Sequence, residues 1–219
     1  MITVNRKLFV GIIAGVFAIT SIADANAHAG IDTRNGTPTK GVSSTVMLRI
    51  GHGCTAPDGV TKVATHSVSV VIPVELLASA ASAAQQIPGL NAVVVTNKDA
   101  SGAITSSTIT WTAINDSFDI NPVGFAEFGI RGSWATAGKF WLDTTQVCRV
   151  ATNVVVPATI KTMTDPKTKA KIRVWVPESV KTTYQELKLS WTVHDSAYAS
   201  TLNDAKTIET GPAPTITIS

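Results

Sequence analysis

Beyond its first thirty residues, the chain alternates apolar and polar positions in short runs, and turn-forming residues separate the runs. Thr45-Val46-Met47-Leu48-Arg49-Ile50 is one such run, and in the next Val68, Val70 and Ile72 alternate with Ser67, Ser69 and Val71. The same pattern predicts strands over 91–96, 107–111, 125–130, 139–146, 171–176, 186–194 and 214–218. Successive side chains of a strand point to opposite faces, so a period of two marks sheets with one face on a core. Val, Ile and Thr fill these runs, while Gly, Pro, Asn and Asp punctuate them. That combination predicts a sandwich or a related all-β fold, and an immunoglobulin-like β-sandwich is the expectation.

Two stretches depart from the alternation. Residues 74–86 (VELLASAASAAQQ) follow Pro73, are rich in Ala, carry one charge and stop before Pro88-Gly89. They predict a short helical insertion packed on the sandwich. Residues 161–171 (KTMTDPKTKAK) are polar, and Asp165-Pro166 marks a turn at the tip of a hairpin.

The first segment follows a different logic. Arg6 and Lys7 precede an apolar run from residue 8 to residue 22, and small residues lead to Ala25-Asn26-Ala27. A positive start, a short apolar run and an A-x-A site together predict a cleaved secretory signal peptide over 1–27. The run is shorter than the roughly 20 residues that a membrane-spanning helix needs. Overlapping sites occur at Ala23-Asp24-Ala25 and Ala27-His28-Ala29, but only a cut after Ala27 leaves His28 first. The expectation is a periplasmic or extracellular domain over 28–219 that has no membrane association once the signal is removed.

Those 192 residues suit one domain with a substantial core. They carry 16 basic and 14 acidic side chains, a balance that gives no electrostatic footprint for nucleic acid. Two cysteines, Cys54 and Cys148, predict a disulfide in an oxidising compartment, the alternatives being a thiolate metal site or two free thiols. No G-x-S-x-G, no H-E-x-x-H and no cysteine beside a plausible base occurs, so the sequence offers no hydrolytic constellation. The expectation is a protein that is not an enzyme.

His28 is the residue with the most chemical promise. A histidine at a free N-terminus offers one metal two nitrogens, its α-amine and a ring nitrogen, and that pair suits Cu(II). With no further information, His28 equally well just lies beside the cut. Other motifs bear on the choice. His28 is followed by the strand over 46–50 that runs into His52-Gly53-Cys54, then by Ser67–Pro73, by Ile109-Thr110-Trp111, and by Phe125-Ala126-Glu127-Phe128. Gln146-Val147-Cys148 and Ala213-Pro214-Thr215-Ile216 close the series. In this order and over most of the chain, the set resembles the YcnI-type periplasmic copper-binding family.

The resemblance implies a β-sandwich that holds Cu(II) in a single-histidine brace. His28 would supply amine and imidazole, Glu127 a carboxylate oxygen, and a tryptophan would stand against the metal. That tryptophan follows the Q-x-C cysteine closely in the family, yet residues 149–157 hold none and an apparent insertion follows. Trp175 resembles the local motif, whereas Trp191 has the better spacing to the tail, and Trp191 is the preferred choice. Pro88-Gly89-Leu90 also departs, since relatives carry Trp after the Gly.

The residues alone also admit plainer roles. Glu127 on a strand can simply face solvent. His52 reads as a turn residue beside the disulfide, His66 and His194 as surface or strand-end histidines, and Trp111, Trp134 and Trp141 as core. The leading expectation is copper sequestration or delivery, with the copper ion as cargo and a copper-transport or chaperone protein as partner. A copper-dependent oxygenase, which would need His66 or His194 as an additional ligand, and a metal-free adhesive or binding sandwich are the alternatives.

Overall fold

The period-two runs form strands, and most of the chain lies in them. A computed structural model describes residues 29–34, 36–78 and 82–219. In chain order the strands are β1 (Gly30–Asp32), β2 (Ser43–Ile50), β3 (Cys54–Thr55), β4 (Lys62–Val63), β5 (Thr65–Pro73) and β6 (Ala83–Ala84). They continue as β7 (Leu90–Lys98), β8 (Ile104–Ala113), β9 (Ala126–Ser133), β10 (Gly138–Trp141), β11 (Thr144–Val156) and β12 (Thr159–Thr164). The last are β13 (Lys171–Val176), β14 (Ser179–Val193), β15 (Thr201–Leu202), β16 (Ile208–Pro212) and β17 (Thr215–Ile218).

One sheet has the order β1-β2-β9-β6, and β17, paired with β10, lies against β1. The other has seven strands in the order β15-β16-β14-β11-β5-β8-β7, antiparallel except where β16 runs parallel to β14. Alternation decides what each sheet buries. From the first, Val46, Leu48, Ile50, Phe128 and Ile130 point inward; from the second come Val68, Val70, Ile72, Ile109 and Trp111. They make one buried cluster, and Trp111 meets Phe128 across the gap with ring centroids 5.1 Å apart. The chain is an all-β sandwich. Cys54 and Cys148 are disulfide-bonded and buried, tying β3 to β11. Closing a loop of that length constrains the unfolded chain by about 4–5 kcal/mol.

The helical insertion contracts to a single 3-10 turn at Val74–Leu76, and Ala83–Ala84 are strand. Residues 79–81 lie outside the described set. Helix propensity is a weak preference, and here the edge of β9 overrides it. Ala78 donates its N–H to Ser133 O and Gln85 to Gly129 O, both at 2.8 Å, so these amides take sheet acceptors instead of helical ones. The strand expected over 139–146 is likewise two. β10 pairs with β17 in one layer and β11 with β5 in the other, and the chain crosses between layers at Leu142-Asp143.

The hairpin expected around 161–171 is the end of a far longer element. β11 and β14 pair from Thr144↔Trp191 to Val156↔Ser179, and β12 and β13 continue from Thr159↔Val176 to Thr164↔Lys171. The register neither gains nor loses a residue between the two ladders. The interruption falls at Pro157 and Pro177, which have no N–H to donate. From Ala151 to Thr164 every residue is exposed, so 14 residues of this strand, 12 of them in ladder pairs, stand clear of the core. At 3.3 Å per residue that makes an arm of about 45 Å. Its tip is tied by Asp165, whose Oδ1 accepts from the N–H groups of Thr168 (2.9 Å) and Lys167 (2.7 Å), which hold the carboxyl below its usual range.

Candidate metal site at the start of the described chain

His28 lies outside the described residues. The chain is described from Ala29, which is buried, and β1 begins at Gly30. Gly30 pairs with Arg49 on β2, and Arg49 pairs with Glu127 on β9, so the three form one row across the sheet. Directly opposed residues share a face. Even positions of β1 therefore share the outer face with Glu127, while Ile31, Leu48 and Phe128 occupy the inner one.

Glu127 is held from two sides, which explains why it is only 15 % exposed on an outward face. Arg34 Nη2 donates to its Oε2, and Arg49 donates to Oε1 through Nη2 at 2.8 Å and Nε at 3.2 Å. Arg49 also donates to Asp32 Oδ2 at 2.8 Å, and its guanidinium lies 5.7 Å from the centre of the Phe125 ring. The cluster is thus two carboxylates against two guanidiniums, with no net charge. Its members differ in freedom. Arg49 is fixed by Glu127, Asp32 and an aromatic ring, whereas Arg34, among the described residues, is ion-paired with Glu127 alone.

Beside this cluster the same face opens into a hollow of about 420 Å³ between Arg34, Met47, Gln85 and Arg131, floored by Gly129. A side chain at position 129 would have to displace Gln85. Gln85 Oε1 accepts the Gly129 N–H at 2.9 Å, and a Cβ on Gly129 would come to within 2.9 Å of that same oxygen.

On the other side of β1, a hollow of about 300 Å³ is lined by Ala29, Gly30, Trp141, Ser196 and the segment from Pro212 to Thr215. Trp141 is therefore not a core residue. It stacks on His194 with the rings 3° from parallel and 5.5 Å apart, and Lys139 Nζ lies 5.1 Å from its centre. His194 Nε2 lies 2.7 Å from Asp143 Oδ1. Trp191 sits in the seven-stranded sheet opposite Thr144 and is 1 % exposed, and Trp175 is on the arm, 63 % exposed. Neither Trp191 nor Trp175 lines the hollow at Ala29–Gly30.

A second group went unnoticed in the sequence. His66, expected at the surface or at a strand end, is the second residue of β5 and only 6 % exposed, and its Nδ1 lies 2.7 Å from Asp119 Oδ1. With Asp116 they offer three ligand atoms within 4.8 Å of one another. Tyr184 donates to Asp116, which raises the phenol pKa, and Arg149 lies 5.5 Å from the tyrosine ring. The arginine beside this group weighs against a cation there. Parity was the available signal, because His66 falls in phase with buried Val68, Val70 and Ile72. His52 occupies a bend before Cys54, and its carbonyl accepts from Gln146 Nε2 at 2.9 Å, in keeping with a turn role.

No family model matches the chain, and no curated protein matches it. Among solved structures it is similar to an uncharacterized protein from Nocardia farcinica described as having an immunoglobulin-like fold. The two share 16 % identity over 88 % of this chain and 99 % of that one, with a TM-score of 0.49.

Proposed function

We propose that this chain is an exported protein that captures Cu(II) at its processed N-terminus, with His28 giving amine and imidazole nitrogens and Glu127 an oxygen. The observation that carries the reading is the row Gly30–Arg49–Glu127, which sets the carboxylate on the face shared by even positions of β1. The state of Glu127 fits a ligand. Arg49 fixes Oε1 and orients the carboxylate, the role an outer hydrogen-bond partner plays at metal sites, while among the described residues Arg34 is the partner of Oε2, and it is displaceable. Of the five tryptophans, Trp141 is the one that lines the hollow at Ala29–Gly30 and so best fits the aromatic neighbour of the ion. The copper is cargo, held for sequestration or for delivery to a transport protein.

The decisive experiment adds one residue ahead of His28 in the processed protein. That residue converts the amine to an amide, a far poorer donor, and leaves every side chain in place. The expected result is normal folding with most of the Cu(II) affinity gone; equal affinity in a chelator competition refutes the brace. The native protein should also bind more weakly below about pH 7, where protons compete for amine and imidazole. The oxygenase reading would draw on His194, which stacks against Trp141. His194→Ala discriminates: unchanged copper affinity removes that reading.

A further inference from the structure

The arm is the largest element that the copper site leaves unexplained. A two-stranded ribbon alone in water is marginally stable at best, yet here 12 residue pairs leave the core. Its outer part has two chemically different faces. On one, Met163↔Ile172, Lys161↔Val174 and Thr159↔Val176 stand opposite each other; on the other stand Ile160↔Trp175, Thr162↔Arg173 and Thr164↔Lys171. Met163, Ile172 and Trp175 are 54 %, 44 % and 63 % exposed. Charge is equally uneven. Residues 151–184 carry six basic and two acidic side chains, whereas the other described residues carry ten basic and twelve acidic. Lys167 and Lys169 at the tip continue the cations of Lys171 and Arg173.

We propose that the outer arm, β12–β13 with its tip, is a docking element for an anionic phospholipid bilayer. Its apolar face enters the headgroup boundary, and its lysines and Arg173 meet lipid phosphates. Charge favours this occupant over a second copy of the chain. Two arms laid face to face would bring like charges together and bury Lys161 in the middle of the contact, a costly position for an unpaired cation. At a bilayer the same lysine runs its methylenes along the apolar layer and lifts its ammonium to the phosphates. The exposed Met163 and Ile172 separate a bilayer from a soluble polyanion, which would use the cations alone. The chain would then adsorb to a membrane without spanning it, which replaces the expectation of no membrane association. Among the described residues no helix is long and apolar enough to cross one.

The test expresses the full-length sequence in a bacterial host and sediments the protein as processed with vesicles. One set is phosphatidylcholine alone, and the other contains one quarter phosphatidylglycerol. Binding is expected to the anionic set only, and it should weaken as salt rises. Each cation near an anionic surface is worth about 1 kcal/mol, so K167E/K169E/K171E should weaken binding on the order of 100-fold. M163S/I172S should weaken it at least tenfold at unchanged charge. All these positions are exposed, so near-native unfolding midpoints are expected. Equal binding to neutral vesicles, or full binding by either variant, overturns the proposal. So does retention on a heparin column without vesicle binding, or a wild-type dimer that M163S/I172S dissociates. Because copper affinity is not read, the result is independent of the brace.

Discussion

Replacing Arg34 by Gln should tighten copper binding, although it removes a contact from the site. Arg34 is the half of the clamp with fewer partners, and its guanidinium covers the oxygen of Glu127 that the metal would take. An exposed ion pair contributes about 0.2–1 kcal/mol, the competition that an incoming ion must overcome. A divalent ion at the carboxylate would also repel the guanidinium. Two charges against one at roughly 6 Å cost about 1.4 kcal/mol at the dielectric of water. Relieving both terms, in part or in full, lowers Kd by about fivefold to fiftyfold. The assay is a chelator competition at low ionic strength, with the urea midpoint as a check on the fold. The unfolding free energy should fall by no more than about 1 kcal/mol, the worth of the ion pair that is lost. Arg49→Gln should act in the opposite sense, because it frees Oε1 and leaves Asp32 without its ion pair. Unchanged or weaker affinity in Arg34→Gln, with the unfolding free energy within that limit, refutes the reasoning.

Thiol labelling of the unreduced, denatured protein should find no free cysteine, and Cys54→Ala/Cys148→Ala should lose about 4–5 kcal/mol in urea unfolding. Trp134→Ala should cost about 3–5 kcal/mol, since Trp134 is fully buried and its Nε1 donates to Ser44 Oγ at 2.6 Å; a loss under 1 kcal/mol would contradict that burial. Gly89→Ala should destabilise by more than about 1 kcal/mol. Gly89 has φ of +81°, and a Cβ there would overlap the Phe118 ring, so a neutral outcome would contradict the turn. In hydrogen exchange of the protein free in solution, amides of 151–164 and 171–184 should exchange far ahead of those in β5 and β8, and slow exchange throughout the arm would contradict its exposure.

The strands that pack on the core could be read because burial imprints itself on the sequence. β5 is the clearest case, since Val68, Val70 and Ile72 are buried and their neighbours are not. The proximal arm left no such imprint. Val154, Val155 and Val156 follow one another with all three exposed, so no core selects one parity over the other. The Ala-rich stretch misled for a different reason. Its local preference was helical, but its partner was an edge of β9 some 45 residues onward, which no local pattern contains. At the candidate site Glu127 was singled out by the family resemblance alone, and the sequence was silent on the two arginines that hold it. Arg49 reaches Glu127 through strand pairing, and Arg34 through a turn, and neither route leaves a spacing rule to read.

The unbroken register of the arm restricts how its length can change over generations. A residue inserted in one strand alone would turn every side chain beyond it to the opposite face, exchanging the Met163 side for the Arg173 side. Matched insertions of one residue per strand would keep the pairing but shift the faces against the core. Only steps of two residues in each strand preserve both, and each lengthens the arm by about 6.6 Å. Homologous chains should therefore differ in this segment by multiples of four residues, a discrete ladder of reaches from the same sandwich.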